Sequence, residues 1–336
     1  MKIQALFQTA LATLVVAASP AFAQVVKVDA KIPEYKAVDG VSGNLKSIGS
    51  DSLNNLMTFW SEGFRTLYPN VKTEIEGKGS TTAPPALIEG TAHFGPMSRP
   101  MKSAEIDDFE KKYGYKPTGV PVAVDALGVF VHKDNPIQAL TLQQIDAVFS
   151  KTRKAGHEKD VVTWGDLGLT GEWTAKPISL YGRNSASGTY GYFKEHALWK
   201  GDFKDTVKEQ PGSSSVIQGV ASDKYAIGYS GIGYLTADVR AVPVAPDAKS
   251  AAVAADAAHA YSGEYPLARM LFVYVNCKPG SQLDPLRREF LRYVLSQQGQ
   301  QVVVKDGYFP VTARIAEGAL KSIGLDVKLL EAGTIK

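Results

Sequence analysis

The sequence predicts an α/β protein made of two units, on three observations. Short β-type runs alternate with helical patterns in the order β-α-β-α-β, which implies parallel strands with helices on the sheet faces. The same grammar recurs further along the chain. Two long apolar β-type runs, at 120–131 and 270–276, are the candidates for crossings between the units.

The first stretch stands apart from this pattern. Lys2, an apolar run from Ala10 to Ala18, and Ala21-Phe22-Ala23 form the grammar of a cleavable export signal over residues 1–23. The run is too short for a permanent membrane helix, so the expected product starts at Gln24 and is periplasmic. Residues 24–43, with Pro33, read as an extended arm. The expected division is one domain from 44–125 with 262–336, and a second from 126–261.

Within the first unit, Leu45 to Ile48 reads as a strand. Leu53, Leu56, Met57, Trp60, Phe64 and Leu67 then repeat at helical spacing until Pro69. Val71, Thr73 and Ile75 alternate as a strand. Ser80-Thr81-Thr82 is placed to cap a helix with Pro84 and Pro85 in its tolerant first turn and Gly90 near its end. His93-Phe94-Gly95 starts another strand. Further on, 140–149 reads as a short helix, 178–181 and 226–229 as strands, 187–199 as a helix, and 271–275 as a strong strand. The stretch 283–298 reads as one amphipathic helix, and the Ala-rich 251–260 as a turn or short helix.

Bulk properties exclude several classes. The formal net charge is +3 for the whole chain. Only Lys2 is charged in the leader, so the mature chain carries +2, and basic residues form no block; nucleic acid is not an expected partner. Cys277 is the only cysteine, which excludes an intrachain disulfide, a cysteine-rich metal site and a lipid-modified mature N-terminus. The five histidines show no metal-ligand spacing, and neither a metal nor an organic cofactor is expected.

Three segments share one design, a strand followed by Gly with Ser/Thr and then a helix: Gly49-Ser50-Asp51-Ser52, Gly79-Ser80-Thr81-Thr82 and Arg183 through Ser187-Gly188-Thr189. A helix start offers unbonded N–H groups and partial positive charge, which suit an anion. Hydroxyls add donors, and glycine permits close approach. Each segment alone is most often an N-cap; three together, one carrying an arginine able to grip two oxygens, favour anion capture. Gly77-Lys78-Gly79-Ser80 lacks the P-loop spacing, and no dinucleotide motif is present. No serine stands out as a nucleophile.

These residues resemble the phosphate-binding proteins of phosphate ABC transporters, which have the type II periplasmic-binding-protein fold. The resemblance runs from about Leu45 to the C-terminal region. Its specific pieces are Gly79-Ser80, Phe94-Gly95-Pro96-Met97-Ser98-Arg99, Arg183 to Thr189, Tyr225 to Ser230, Tyr265-Pro266-Leu267-Ala268-Arg269 and Gly307-Tyr308-Phe309-Pro310. It implies two α/β domains joined by two crossing strands, inorganic phosphate held dry in the cleft between them, binding without catalysis, and delivery to a membrane permease. The protein is expected to act as a monomer.

By the same resemblance, Ser80 matches the family's second-loop serine, and Arg183, Ser187, Gly188 and Thr189 match its Arg-x-x-x-Ser-Gly-Thr segment. Two positions depart. Asp51, followed by Ser52, stands where the family often has threonine, and Ser98, followed by Arg99, stands where it commonly has aspartate. A carboxylate accepts hydrogen bonds but cannot donate, so that aspartate favours a protonated phosphate over sulfate. The expectation is that Asp51 supplies the missing acceptor while Ser98 and Arg99 donate; the alternative is that Asp51 caps the following helix. The expected ligand set is therefore Ser50, Asp51, Ser52, Ser80, Thr81, Ser98, Arg99, Arg183, Ser187, Gly188 and Thr189. Another tetrahedral oxyanion, such as sulfate, is the alternative ligand; a secreted phosphatase is the alternative from another class.

Overall fold

The computed structural model describes residues 26–325. The expected export signal, over residues 1–23, therefore lies outside the described residues. From Val26 the arm lies against the body, burying Ile32, Tyr35 and Val41. Tyr35 donates to Glu289 and shares a 2.6 Å bond with the Tyr68 hydroxyl, so the arm packs by side chains as well as by apolar area.

The chain then runs β1 (Gly43–Gly49), α1 (Asn54–Leu67), β2 (Val71–Gly77), α2 (Ala83–Glu89), β3 (Phe94–Met97) and α3 (Ser103–Tyr113). The predicted stripe of α1 is buried at Leu56, Met57, Trp60 and Phe64. Leu67, in the last turn, is instead exposed. Pro84 and Pro85 sit in the first turn of α2, where a missing N–H costs nothing, and Gly90 ends it in the left-handed region at φ 73°. Ser80–Thr82 form a short 3-10 turn, with no side-chain cap on α2.

Next come β4 (Thr118–His132), β5 (Leu140–Thr141), α4 (Leu142–Phe149), β6 (Ser179–Arg183), α5 (Gly188–His196), β7 (Lys208–Gln210) and α6 (Ser213–Ser222). The chain continues through β8 (Ala226–Gly231), β9 (Val239–Ala241), β10 (Val244–Ala245) and α7 (Ala257–Ser262). It ends with β11 (Ala268–Val275), α8 (Pro285–Val294), α9 (Gln297–Lys305) and α10 (Ala313–Ser322). The single helix expected over 283–298 is two, because Ser296 breaks the first and caps the second through the Gly299 N–H.

The main sheet has the order β2-β1-β3-β11-β4-β8-β6-β7, with β9 also on β4, while β5 and β10 pair separately. β1 is parallel to both β2 and β3, and β6 to both β7 and β8. β4 alone belongs to both halves. Its residues Thr118 to Ala126 pair antiparallel with β11, and Leu127 to Val131 pair with β8. The partner change between Ala126 and Leu127 divides the sheet into two lobes, lobe 1 with β1–β3 and β11, lobe 2 with β6–β8.

One expectation is corrected here. The run 270–276 does not cross, since β11 lies throughout between β3 and the first half of β4. The return passage comes just before it, where Leu127 donates its N–H to the carbonyl of Leu267 and the Tyr265 hydroxyl donates to Leu127. No helix among the described residues is long and apolar enough to cross a membrane.

Candidate functional site

Three loops of lobe 1 and two segments of lobe 2 meet at the cleft. Ser50 follows β1, Ser80 follows β2, and Ser98 follows β3, so parallel strand ends deliver the three serines side by side. Backbone bonds knit the loops: Ser50 N–H donates to Pro96, and Gly79 N–H donates to Gly49. Ser50 Oγ donates to Ser98 Oγ at 3.0 Å, and Ser98 Oγ lies 3.3 Å from Ser80 Oγ. The Ser98 N–H donates to Ser80 Oγ at 3.1 Å. All three are buried.

Lobe 2 brings the start of α5 onto this cluster. Ser187 caps the helix, accepting the N–H groups of Thr189 and Tyr190, as the N-cap reading expects. Gly188 lies at the seam itself: a Cβ there would stand 2.2 Å from Ser80 Oγ and 2.6 Å from Ser98 Oγ, so only glycine lets the lobes approach this closely. Thr189 Oγ1 is 2.9 Å from Ser52 Oγ across the cleft. Thr81 donates its hydroxyl to the Ala186 carbonyl, another bond between the lobes.

Arg183, at the end of β6, is almost fully buried. Its Nη1 donates to Ser213 Oγ at 2.7 Å and lies 3.1 Å from Asp51 Oδ1, while Nη2 donates to the Pro211 carbonyl. Nε has no hydrogen-bond partner among the described residues. Burial lowers the guanidinium pKa, and the Asp51 charge works against that shift. Asp51 Oδ1 also accepts the Ser213 N–H at 2.8 Å, so a lobe 1 carboxylate caps α6 of lobe 2 rather than its own helix. Asp51 Oδ2 takes no hydrogen bond from the described residues. Arg99 turns aside: Nη1 and Nη2 grip Glu105 at 2.8 and 2.6 Å. It lines a groove of about 880 Å³ between Pro100–Ser103 and α5 that reaches Thr81 and Ser187.

The structure also brings in residues that the sequence reading did not place here. Arg269 and Asp125 are directly opposed on β11 and β4 and form a buried ion pair at 2.7 Å. Arg269 extends from it to the Ser98 carbonyl and to Thr189 Oγ1. Tyr234 donates to the carbonyl of Asp51 and Tyr308 to that of Ser52, fixing the first loop. The available signal was a charged residue, Asp125, inside an otherwise apolar strand. Arg269 lies in a segment that resembles the family, yet nothing in its spacing points to the cleft. No group of three or more metal-ligating side chains occurs among the described residues.

The chain matches the PBP superfamily domain over residues 35–298. It is 59% identical over 313 residues to the phosphate-binding protein PstS of Pseudomonas aeruginosa, covering 93% of this chain and 97% of that protein. It is 26% identical over 270 residues to protein SphX of Synechococcus elongatus, covering 79% and 77%. Among solved structures, a putative phosphate ABC transporter substrate-binding protein from Clostridium perfringens with bound phosphate superposes at TM-score 0.68. That match has 25% identity and covers 80% of this chain and all of that one. An ABC-type phosphate transport receptor from Vibrio cholerae shares the fold at TM-score 0.61 and 20% identity, covering 80% and 100%. The chain therefore belongs to the PBP superfamily and, within it, to the family of phosphate-binding proteins of phosphate ABC transporters.

Proposed function

We propose that this protein captures inorganic phosphate in the periplasm and hands it to the permease of a phosphate ABC transporter, working as a monomer and without turnover. The observation that carries this is the meeting, across two lobes, of Ser50, Ser80 and Ser98 with the α5 start at Ser187–Thr189 and with Arg183. Hydroxyls, helix N–H groups and one guanidinium replace the water shell of a small anion, and the set is complete only when the lobes meet. Closure then creates the surface that the permease reads. The proposed domains are 44–125 with 262–336, and 126–261, which fits the change of β4 partners between Ala126 and Leu127.

In this reading Asp51 is the acceptor that the family's usual aspartate provides elsewhere. Its Oδ1 is held by Arg183 and the Ser213 N–H, which leaves Oδ2 to take the proton of hydrogenphosphate. Arg99 lies outside the ligand set, occupied by Glu105.

Titration calorimetry of the mature protein, stripped of ligand by unfolding and refolding, tests both points. Phosphate is expected to bind one to one, sulfate not to bind, and Arg183→Ala to abolish binding. Asp51→Asn is expected to erode the preference over sulfate; full retention of that preference refutes the acceptor role.

A further inference from the structure

Arg183 is fastened at both ends, and its hydrogen bonds go to lobe 2. Its backbone N–H donates to the Tyr229 hydroxyl at 3.2 Å, which ties the end of β6 to β8. At the tip, Nη1 donates to Ser213 Oγ at 2.7 Å and Nη2 to the Pro211 carbonyl at 3.0 Å. Both acceptors lie where the chain turns into α6, and Ser213, its first residue, is fully buried. A guanidinium is planar, so holding both terminal nitrogens also fixes the direction of Nε. Nε is the one buried nitrogen of this side chain without a partner among the described residues.

A buried donor left unpaired is unfavourable, more so when it carries charge, and an anion oxygen relieves that. A free arginine loses rotamer freedom when it binds; one held at base and tip has little left to lose. Ser213 serves this arrangement with its side chain alone. Its backbone N–H is used differently, donating to Asp51 Oδ1 at 2.8 Å, and Asp51 Oδ1 also lies 3.1 Å from Arg183 Nη1. Removing only the hydroxyl therefore leaves the Asp51 contacts and the start of α6 in place.

We propose that Ser213 is a positioning residue for anion binding: with the Pro211 carbonyl, its hydroxyl holds the tip of Arg183 so that the Nε–H edge is left for the ligand. The inference rests on the reading of the cleft as a phosphate site. It gives the start of α6 a task although no α6 residue belongs to the ligand set. It also makes the grip of Arg183 side-on, through Nε, rather than through the far ends of the fork.

The test joins calorimetry with inorganic phosphate to a proton–nitrogen NMR spectrum of the arginine Nε–H groups. The Arg183 signal is the one missing from Arg183→Lys. In the parent protein, saturating phosphate should move that signal and slow its exchange with water. Ser213→Ala should weaken phosphate binding about tenfold to a hundredfold, as for a lost hydrogen bond to a charged group, and should lose most of the phosphate-induced shift. Ser213→Cys, close in size but with sulfur as a weak acceptor, should show the same two losses; it carries the test if the alanine variant does not fold. Ser214→Ala, at the exposed neighbouring position, should change neither reading. A parent signal that ignores phosphate overturns the proposal, because the anion then meets Arg183 elsewhere. So does a Ser213 variant that binds as tightly as the parent, or one that loses affinity yet keeps the parent's shift. A parent protein that binds no phosphate overturns the ligand reading beneath it.

Discussion

The Arg183–Asp51 pair spans the cleft between the lobes, whereas Arg269–Asp125 joins neighbouring strands of one lobe. Asp51 keeps about a fifth of its side chain in solvent; Asp125 has none exposed. When the lobes part, Asp51 and Arg183 can each be rehydrated, so their contact can be made and broken with ligand. Asp125 and Arg269 sit opposite each other in the sheet and stay together whatever the lobes do. The same two residue types thus provide a reversible clasp in one place and a fixed support in the other. Burial, and which elements the partners ride on, decides which role applies.

The largest effect expected from this contrast is on folding. Arg269→Met strands the Asp125 carboxylate in the interior and should cost about 3–5 kcal/mol in denaturant unfolding. Adding Asp125→Asn should recover most of the loss; failure to recover it would mean that packing of the arginine, not charge, dominates. Asp51→Ala should behave in the opposite way. Its stability cost should be smaller, about 1–3 kcal/mol, because parting of the lobes lets Arg183 rehydrate, while phosphate dissociation measured by stopped flow accelerates about tenfold or more. A large stability loss in Asp51→Ala would erase the distinction between the pairs.

Gly188→Ala probes the seam without touching either pair. Its methyl group would collide with Ser80 and Ser98 only when the lobes are closed. Overpacking of about 1–3 kcal/mol should then weaken phosphate binding by roughly tenfold to a hundredfold with the melting temperature little changed. Unchanged affinity would show that the lobes bind phosphate from a wider separation.

The smallest effect concerns Asp306, whose carboxyl is pushed up to about 7 by burial, with one oxygen lacking a partner. An acid with a folded pKa above its unfolded value holds its proton better in the fold, so stability falls as pH rises from the unfolded pKa towards about 7. Asp306→Asn should therefore raise the melting temperature above that window, by on the order of 2–4 °C, and leave it nearly unchanged in acid. A gain of equal size at both pH values would point to packing instead.

Much of the fold could be read in advance because its signals are local. The stripe of α1, the prolines at the start of α2 and the alternation in β2 each lie within a few residues. The site was legible where it too is local: Ser187-Gly188-Thr189 caps and starts α5 as its spacing suggests. What escaped depends on long-range register. Arg269 meets Asp125 only because β11 enters the sheet between β3 and β4, a pairing of segments 144 residues apart. Helix α6 opens on Ser213-Ser214-Ser215 after Pro211-Gly212, which carries little helical signal, yet its start receives Asp51. Arg99 shows the converse. Next to Ser98 it looks like a ligand group, but Glu105 lies one turn into the following helix and takes it.

The place of β11 also bears on how the chain assembles. It fills the slot between β3 and β4, so the sheet of lobe 1 cannot close until residues beyond 268 are present. Lobe 2 has its strands β6, β7 and β8, and its half of β4, long before that point in the chain. As the chain emerges from its N-terminus, lobe 2 can therefore reach its folded form while lobe 1 still waits, its β3 edge and the first half of β4 exposed. A chaperone that protects the emerging chain would find its binding site on that waiting edge, and truncations short of β11 should yield a folded second lobe on an unfolded first.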